Sequence, residues 1–345
     1  LNKQDDAFYY AAVTGSDNMA QRILYIIGEY PSRTETFIER EIAGLSRLGL
    51  KIEIRPLNAT DWPKAAQALL RRISVARKLW RNLSDNTPIK RRLSALLRAA
   101  LIAENANGVE HIHAHFLGLP SITAFCLSNM LGIPYSFTAH ARDIYAEKTP
   151  RIVVEQARFR TTCTETNRNH LEASGQEFHL IRHGLSFSAA APFNVRTIPP
   201  CRVLAVGRFV EKKGFSHLIH ACAELRRRDF PFELTLIGEG PLKEELTREI
   251  RSSGVEDATK TPGALSHDAV LALYREADVF VAPSIVAGNG DRDGVPNVLL
   301  EAIAAGVPVV STNAGSIPEI VMERETGILT PQGNAQALAD AIEDL

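Results

Sequence analysis

Short apolar runs alternate with longer stretches whose apolar residues recur at helical spacing, from residue 23 almost to the end of the chain. Alternation of this kind predicts βαβ units and parallel sheets. In the first half, strands are expected at 23–28, 51–57, 111–116 and 135–140, with weaker ones at 161–164 and 179–183. Between the first two, Thr36 with Glu39 three residues on reads as a capping box. Ile38, Ile42 and Leu45 then give the helix an apolar face, and Gly49 ends it. A break at Ile198-Pro199-Pro200 precedes a second cycle. There 202–206, 232–237, 278–282, 307–312 and 327–329 read as strands. Residues 214–228 read as a helix with Phe215, Leu218, Ile219, Cys222 and Leu225 on one face. The expected fold class is α/β, with two Rossmann-like doubly wound domains over 19–190 and 200–345. The carboxyl edges of their strands would face an inter-domain cleft, where ligands normally bind.

Composition narrows the function without choosing one. The 345 residues exceed what one hydrophobic core usually supports, which agrees with two domains. A net charge of −1 argues against a general nucleic-acid binder. No apolar run reaches the roughly 18 residues of a membrane-spanning helix, and residues 1–6 are too polar for a signal peptide. Residues before Met19 read as additional to the fold. Cys126, Cys163, Cys201 and Cys222 are far apart, with no Cys-x-x-Cys spacing, so a cytoplasmic protein without a disulfide framework is expected.

Two segments of the second half carry candidate chemistry. Gly207-Arg208-Phe209-Val210-Glu211-Lys212-Lys213-Gly214 follows a strand and opens a helix, where backbone N–H groups and the helix dipole favour an anion. Arg208 and Lys213 add two positive charges suited to a diphosphate. A charged surface turn is the alternative reading, and no Ser or Thr follows the Lys as a Walker loop would need. The second segment, Asp293 to Glu301, has two acids with seven residues between them at the start of another helix. Pro296 suits its first turn, and Gly294 lets backbone approach a ligand closely. Such a pair can hold sugar hydroxyls at both ends of a nucleotide sugar.

Together the Gly-Arg-x(5)-Gly and acid-x(7)-acid segments resemble family 4 glycosyltransferases of the GT-B fold. Tyr30 to Glu41, Ser136 to Asp143, Ile181 to Leu185 and Gly288 to Val310 resemble the exopolysaccharide and colanic-acid branch. The resemblance implies a retaining, metal-independent hexosyltransferase that needs no cofactor. It would use a nucleotide diphosphate sugar as donor and a glycan or lipid-linked oligosaccharide as acceptor. It implies that Arg208 and Lys213 hold the diphosphate from Gly207 onward, helped by the amides of Asn297 and Val298. Asp293 would bind donor-sugar hydroxyls, Glu301 the ribose, and Gly238 and Gly240 would flank the nucleobase. His140 would meet the sugar at the reacting centre, with Ser32, Thr36 and Asp143 on the acceptor side. Asp293 stands where the family usually has Glu, a reach shorter by roughly 1.5 Å. A final helix returning to the first domain, typical of GT-B proteins, is expected to be short or absent after the helix near 335–342.

Several readings stay open beside this one. A nucleotide-sugar epimerase or hydrolase on the same fold would turn over donor without acceptor. A non-catalytic nucleotide-sugar-binding subunit would only bind it. Asp291 and Asp293 mimic a metal-binding Asp-x-Asp, and His111, His113 and His115 share one strand face as zinc ligands would. The preferred readings are no metal site, and strand-end histidines lining the cleft. Residues 61–100 carry ten Lys and Arg against Asp61 and Asp85, with Trp62, Leu69, Leu70, Ile73, Leu79, Trp80 and Leu83 as apolar partners. That segment suits an anionic membrane surface, or else a helical insertion whose apolar stripe packs on the domain.

Overall fold

The computed structural model describes residues 22–32, 35–84, 87–185 and 199–345. They form two compact units divided between Gly184 and Leu185. Most of the stretch expected to hold the boundary, 190–200, and all of 1–18 lie outside the described residues.

In the first unit the strands are β1 (Arg22–Ile27), β2 (Lys51–Pro56), β3 (His111–His115), β4 (Tyr135–Ala139), β5 (Phe159–Thr162) and β6 (His179–Leu180). They lie in the order β2-β1-β3-β4-β5-β6, every neighbouring pair parallel. β1 is buried on both faces, which is why it is a continuous apolar run. Leu24 and Ile26 join a core with Ile112, Phe125 and Phe137, while Ile23, Tyr25 and Ile27 meet Ile38, Leu45 and Phe159 on the other side.

The second unit holds β7 (Cys201–Val206), β8 (Phe232–Ile237), β9 (Thr259–Gly263), β10 (Val279–Ala282), β11 (Val309–Thr312) and β12 (Gly327–Thr330). Their order is β12-β11-β10-β7-β8-β9, again parallel throughout. Val203 and Ala205 of β7 enter one core layer and Leu204 the other. The direction of winding reverses between β1 and β3 in one sheet and between β7 and β10 in the other. Ligands bind such sheets outside the carboxyl ends of the strands, at these switch points.

Two expectations need correction. β9 has no counterpart in the apolar pattern: Thr-Lys-Thr-Pro-Gly lies at the sheet edge, where solvent tolerates polar side chains and Pro costs no ladder bond. Thr36 is the first helical residue rather than the cap, since Glu35 occupies the N-cap of helix Thr36–Arg47. That helix does end at Gly49, with Leu50 N–H donating to Leu45 O (3.2 Å) and Gly49 N–H to Ser46 O (3.0 Å).

Residues 61–100 include helices Trp62–Arg71 and Ile73–Asn82 and most of Ile89–Ala103. Leu79 and Leu83 belong to the core, with Leu69 and Trp80 packed against it, so the apolar stripe covers the domain. Arg71 and Arg72 pair with Glu104, and Arg98 donates to Leu57 O while lying over the Trp62 ring. Trp62, Leu70, Ile73, Ile89 and Leu93 nevertheless remain exposed. Among the described residues, no helix is long and apolar enough to cross a membrane.

Candidate functional site

In the second unit the switch point joins two loops. After β7 the chain runs from Gly207 through a 3-10 turn, Glu211–Lys213, into helix Phe215–Arg227. Ile285 N–H, beyond β10, donates to Lys212 O (2.9 Å), and Gly288 N–H donates to Glu211 Oε1 (2.8 Å). Gly214 closes the turn at φ 64°, where a Cβ would stand 1.9 Å from Pro283 O. No other residue fits without parting the two loops.

This contact brings the charged side chains together. Lys213 Nζ lies 2.7 Å from Asp293 Oδ2, which also accepts from Ser284 Oγ at 2.9 Å. Lys212 Nζ reaches Asp291 Oδ1 at 3.0 Å and Asp293 Oδ1 at 3.6 Å. Burial pushes the Asp293 carboxyl up, but the two ammonium groups and the hydrogen bonds outweigh it and hold the pKa below the ordinary value. Arg208 is exposed and has no ion-pair partner among the described residues. Lys212 was missed from sequence, where only the second Lys of the doublet drew attention, yet it is buried and links both acids of the loop. Each carboxylate of the Asp-x-Asp pair thus faces an ammonium group.

Helix Asn297–Ala304 starts just beyond, with Pro296 as its N-cap rather than in its first turn. Leu299 and Leu300 N–H bond to Pro296 O, which leaves the Asn297 and Val298 amides without an intrahelical acceptor. The Asn297 Oδ1 atom is buried and also lacks a partner among the described residues. Two turns on, Glu301 is 5% exposed, with Oε1 3.2 Å from His267 Nε2. Tyr274 OH donates to Val298 O (3.0 Å) and pins the first turn. Gly294 lies in the loop between Asp293 and Pro296. Gly238 and Gly240 lean on the backbone of Gly207 and Phe209: a Cβ on Gly238 would be 1.8 Å from Gly207 O. Their lack of side chains is thus required by the loop after β7.

The first unit gathers a different set. His140 follows β4 and caps helix Ala141–Ala146, its N–H donating to Asp143 Oδ1 (3.1 Å). Its ring sits among Phe116 (4.5 Å between centroids), Phe37 (4.9 Å) and His183 (5.6 Å). His140 Nε2 is 3.4 Å from His115 Nδ1, and His115 Nε2 is 3.4 Å from Glu41 Oε1. Ser32 and Thr36 precede Phe37 at the start of helix Thr36–Arg47, and Phe37 stacks on His183 at 4.3 Å. Asp143, expected on the acceptor side, is buried, and its carboxylate accepts from the backbone N–H of Leu117 and His140. It orients the His140 loop instead. His111 and His113 are also corrected: both are interior, bonded to Ser136 and Thr138 hydroxyls of β4, and of the three only His115 reaches the strand end.

Burial governs titration here. It lowers His111 to about 3 and His183 to about 4, and takes His113 and His140 well below the ordinary imidazole value. Asp143 is pushed up to about 8 by burial, which its backbone donors offset only in part.

Residues 199–345 match the family model described as Glycosyl transferases group 1. Over 140 residues the chain is 41% identical to the amylovoran biosynthesis glycosyltransferase AmsK of Erwinia amylovora. That stretch covers 41% of this chain, so the match spans about a third (34%) of the relative's own length. Sucrose-phosphate synthase of Thermosynechococcus elongatus superposes with a TM-score of 0.71 at 20% identity, over 94% of this chain and 89% of the other. Anabaena HepE in complex with UDP-glucose gives 0.66 at 19% identity, with the same coverages of 94% and 89%. At these identities the likeness is one of fold, and that fold is GT-B.

Proposed function

Because residues 199–345 belong to the group 1 glycosyl transferases, we propose that the chain moves a hexose from a nucleotide diphosphate sugar to a glycan or lipid-linked oligosaccharide in exopolysaccharide biosynthesis. The observation that carries this reading is the loop pair at the β7/β10 switch point. There Lys212 and Lys213 engage Asp291 and Asp293 in the loop that leads into helix Asn297–Ala304, whose first amides have no intrahelical acceptor, and Arg208 lies exposed on the loop after β7. The difficult event in such a transfer is departure of a nucleoside diphosphate, whose phosphate oxygens gain charge. Fixed cations and a helix N-terminus stabilise that charge without reorganising. In this reading Lys213 exchanges Asp293 for the diphosphate, and the released carboxylate accepts hydroxyls of the donor sugar. Glu301, oriented by His267, takes the ribose.

The transfer is read as retaining. A double-displacement route needs a free carboxylate as nucleophile. In this reading Asp291 stays with Lys212 and Asp293 is taken up by donor-sugar hydroxyls, which favours a front-face course in which the leaving phosphate assists the acceptor hydroxyl. No metal enters this scheme. His140, neutral through burial, contributes a hydrogen-bonding ring to an uncharged sugar.

Thermal midpoints with UDP-, GDP- and ADP-sugars test donor binding, since only a bound donor raises the midpoint. The stabilising donor is then given with and without glycan acceptors, and the anomeric configuration of the product is read by NMR. No stabilisation by any nucleotide sugar would refute the proposal. Turnover of donor alone would mark a hydrolase or epimerase. Binding without turnover, with pathway output unchanged on replacing His140 or Glu301, would mark a non-catalytic subunit.

The segment 61–100 is assigned to an anionic membrane surface, as suits a lipid-linked acceptor. Arg77, Lys78, Arg81 and Lys90 are exposed without ion-pair partners among the described residues, next to exposed Leu70, Ile73 and Ile89.

A further inference from the structure

We propose that His140, Cys163 and His183 bind one zinc-class divalent cation at the carboxyl edge of the first sheet. The strand order creates the site. β4, β5 and β6 are adjacent and parallel, with Ala139 level with Thr162, and Thr162 level with Leu180. Neighbouring strands are about 4.8 Å apart. His140 and Cys163 are each the first residue beyond their strands, and His183 is the third beyond β6. One ligand atom from each lies within 4.8 Å of the others. Zinc–nitrogen and zinc–sulfur bonds of roughly 2.0–2.3 Å call for ligand separations near 3.5 Å, which side-chain rotation supplies.

Burial and bonding favour this trio over the other cluster of the same wall, Glu41, His113 and His115. Both ring nitrogens of His113 already meet Ser136 and Thr138, and Glu41 accepts from Tyr25 OH. By contrast, both ring nitrogens of His183 are buried with no hydrogen-bond partner among the described residues, a costly state that a cation relieves. His140 is 7% and Cys163 2% exposed. The Asp143 backbone N–H engages one nitrogen of the His140 ring, and a cation at the other would replace its long 3.4 Å contact with His115 Nδ1. Phe37, stacked on His183, and Phe116, against His140, wall the position from water.

One thiol and two imidazoles suit a borderline-soft ion. Binding breaks the Cys163 S–H bond, forms a sulfur–metal bond and releases one proton to solvent, with no change of oxidation state. A bound ion would occupy His140 and so block transfer. This consequence rests on the proposed function; the binding itself does not.

The test titrates the metal-free 345-residue chain with Co²⁺ as a spectroscopic substitute for zinc. One equivalent should give tetrahedral ligand-field bands and a thiolate-to-cobalt charge-transfer band, both abolished by added zinc. Cys163→Ser should remove the charge-transfer band, and His183→Gln should weaken uptake at least tenfold. Cys222→Ser, in the other unit, should change nothing. As a measurement free of mutation, X-ray absorption of the zinc-loaded chain should find one sulfur among nitrogen ligands. No charge-transfer band, a band that survives Cys163→Ser, or a zinc shell without sulfur would overturn the proposal. Failure of the metal-free chain to transfer sugar, with cobalt uptake intact, would count against the transferase reading alone.

Discussion

At the carboxyl edge of the first sheet, burial holds ionisable groups in their neutral forms: His183 falls to about 4, His140 lies well below its ordinary value, and Asp143 rises to about 8. At the same edge of the second sheet, Asp293 is partly buried yet held below the ordinary carboxylate value by Lys213 and Lys212. The two edges share a parallel six-stranded architecture. The difference lies in what each loop supplies to a buried acid or base. Apart from Glu41, whose charge His115 offsets, the first edge offers its buried groups aromatic rings and neutral imidazoles, whereas the second offers paired ammonium groups. Without a metal ion the first edge therefore suits uncharged hydroxyl-bearing ligands, and the second suits a multiply charged anion.

The largest expected effect tests the charged edge. Lys213→Ala or Arg208→Ala should lower turnover about 10²–10³-fold, comparable with losing one oxyanion donor. Midpoint stabilisation by the donor should weaken in parallel. Near-normal turnover in both variants would mean that the second edge collects cations for another purpose. Next comes the turn that holds those cations in place. Gly214→Ala should cost more than about 2 kcal/mol, because its φ of 64° and the Pro283 carbonyl both reject a Cβ. Thermal unfolding would show this as a midpoint several degrees lower, and an unchanged midpoint would refute the docking of the two loops.

Much of this frame was legible in the chain. The apolar runs of β1, β7 and β10 announce themselves because both faces of a parallel sheet are covered. β9 does not, since an edge strand has no need of apolar residues. Local motifs located Arg208, Lys213 and Asp293 on their loops and Glu301 on its helix, but the partnership of Lys212 with Asp291 spans 79 residues and depends on β7 lying beside β10. The meeting of Cys163 with His140 and His183 likewise depends on the order β4-β5-β6, which no spacing encodes. Asp143 misled because a carboxylate beside a candidate site looks available until its burial and backbone donors are seen.

A smaller effect probes the neutral edge. An acid whose pKa is raised on folding takes up a proton as the chain folds. Its contribution is fully present below the unfolded value near 3.8 and is lost as pH rises through about 8. Asp143→Asn removes the titration, so the variant's stability should fall less steeply than the parent's between those limits. Urea midpoints across that range measure it. Parallel curves for the two proteins would mean that Asp143 is already ionised, and the contrast between the edges would shrink to its histidines.

The smallest effect on the folded state concerns the helices of 61–100. Leu70 and Ile89 are 69% and 66% exposed, so replacing both with Glu removes little core contact. Each change should alter stability by no more than about 0.5 kcal/mol. On an anionic surface the same pair matters more. Each apolar side chain that enters the interface contributes roughly 1.5–3 kcal/mol, and each carboxylate put in its place is repelled. The double variant should therefore keep its midpoint and its donor response while losing flotation with vesicles that contain anionic lipid. Arg77, Lys78, Arg81 and Lys90 predict that flotation of the parent declines with salt. If the parent fails to float at low salt, or the double variant floats as well as the parent, the three helices serve only to cover the core through Leu79 and Leu83.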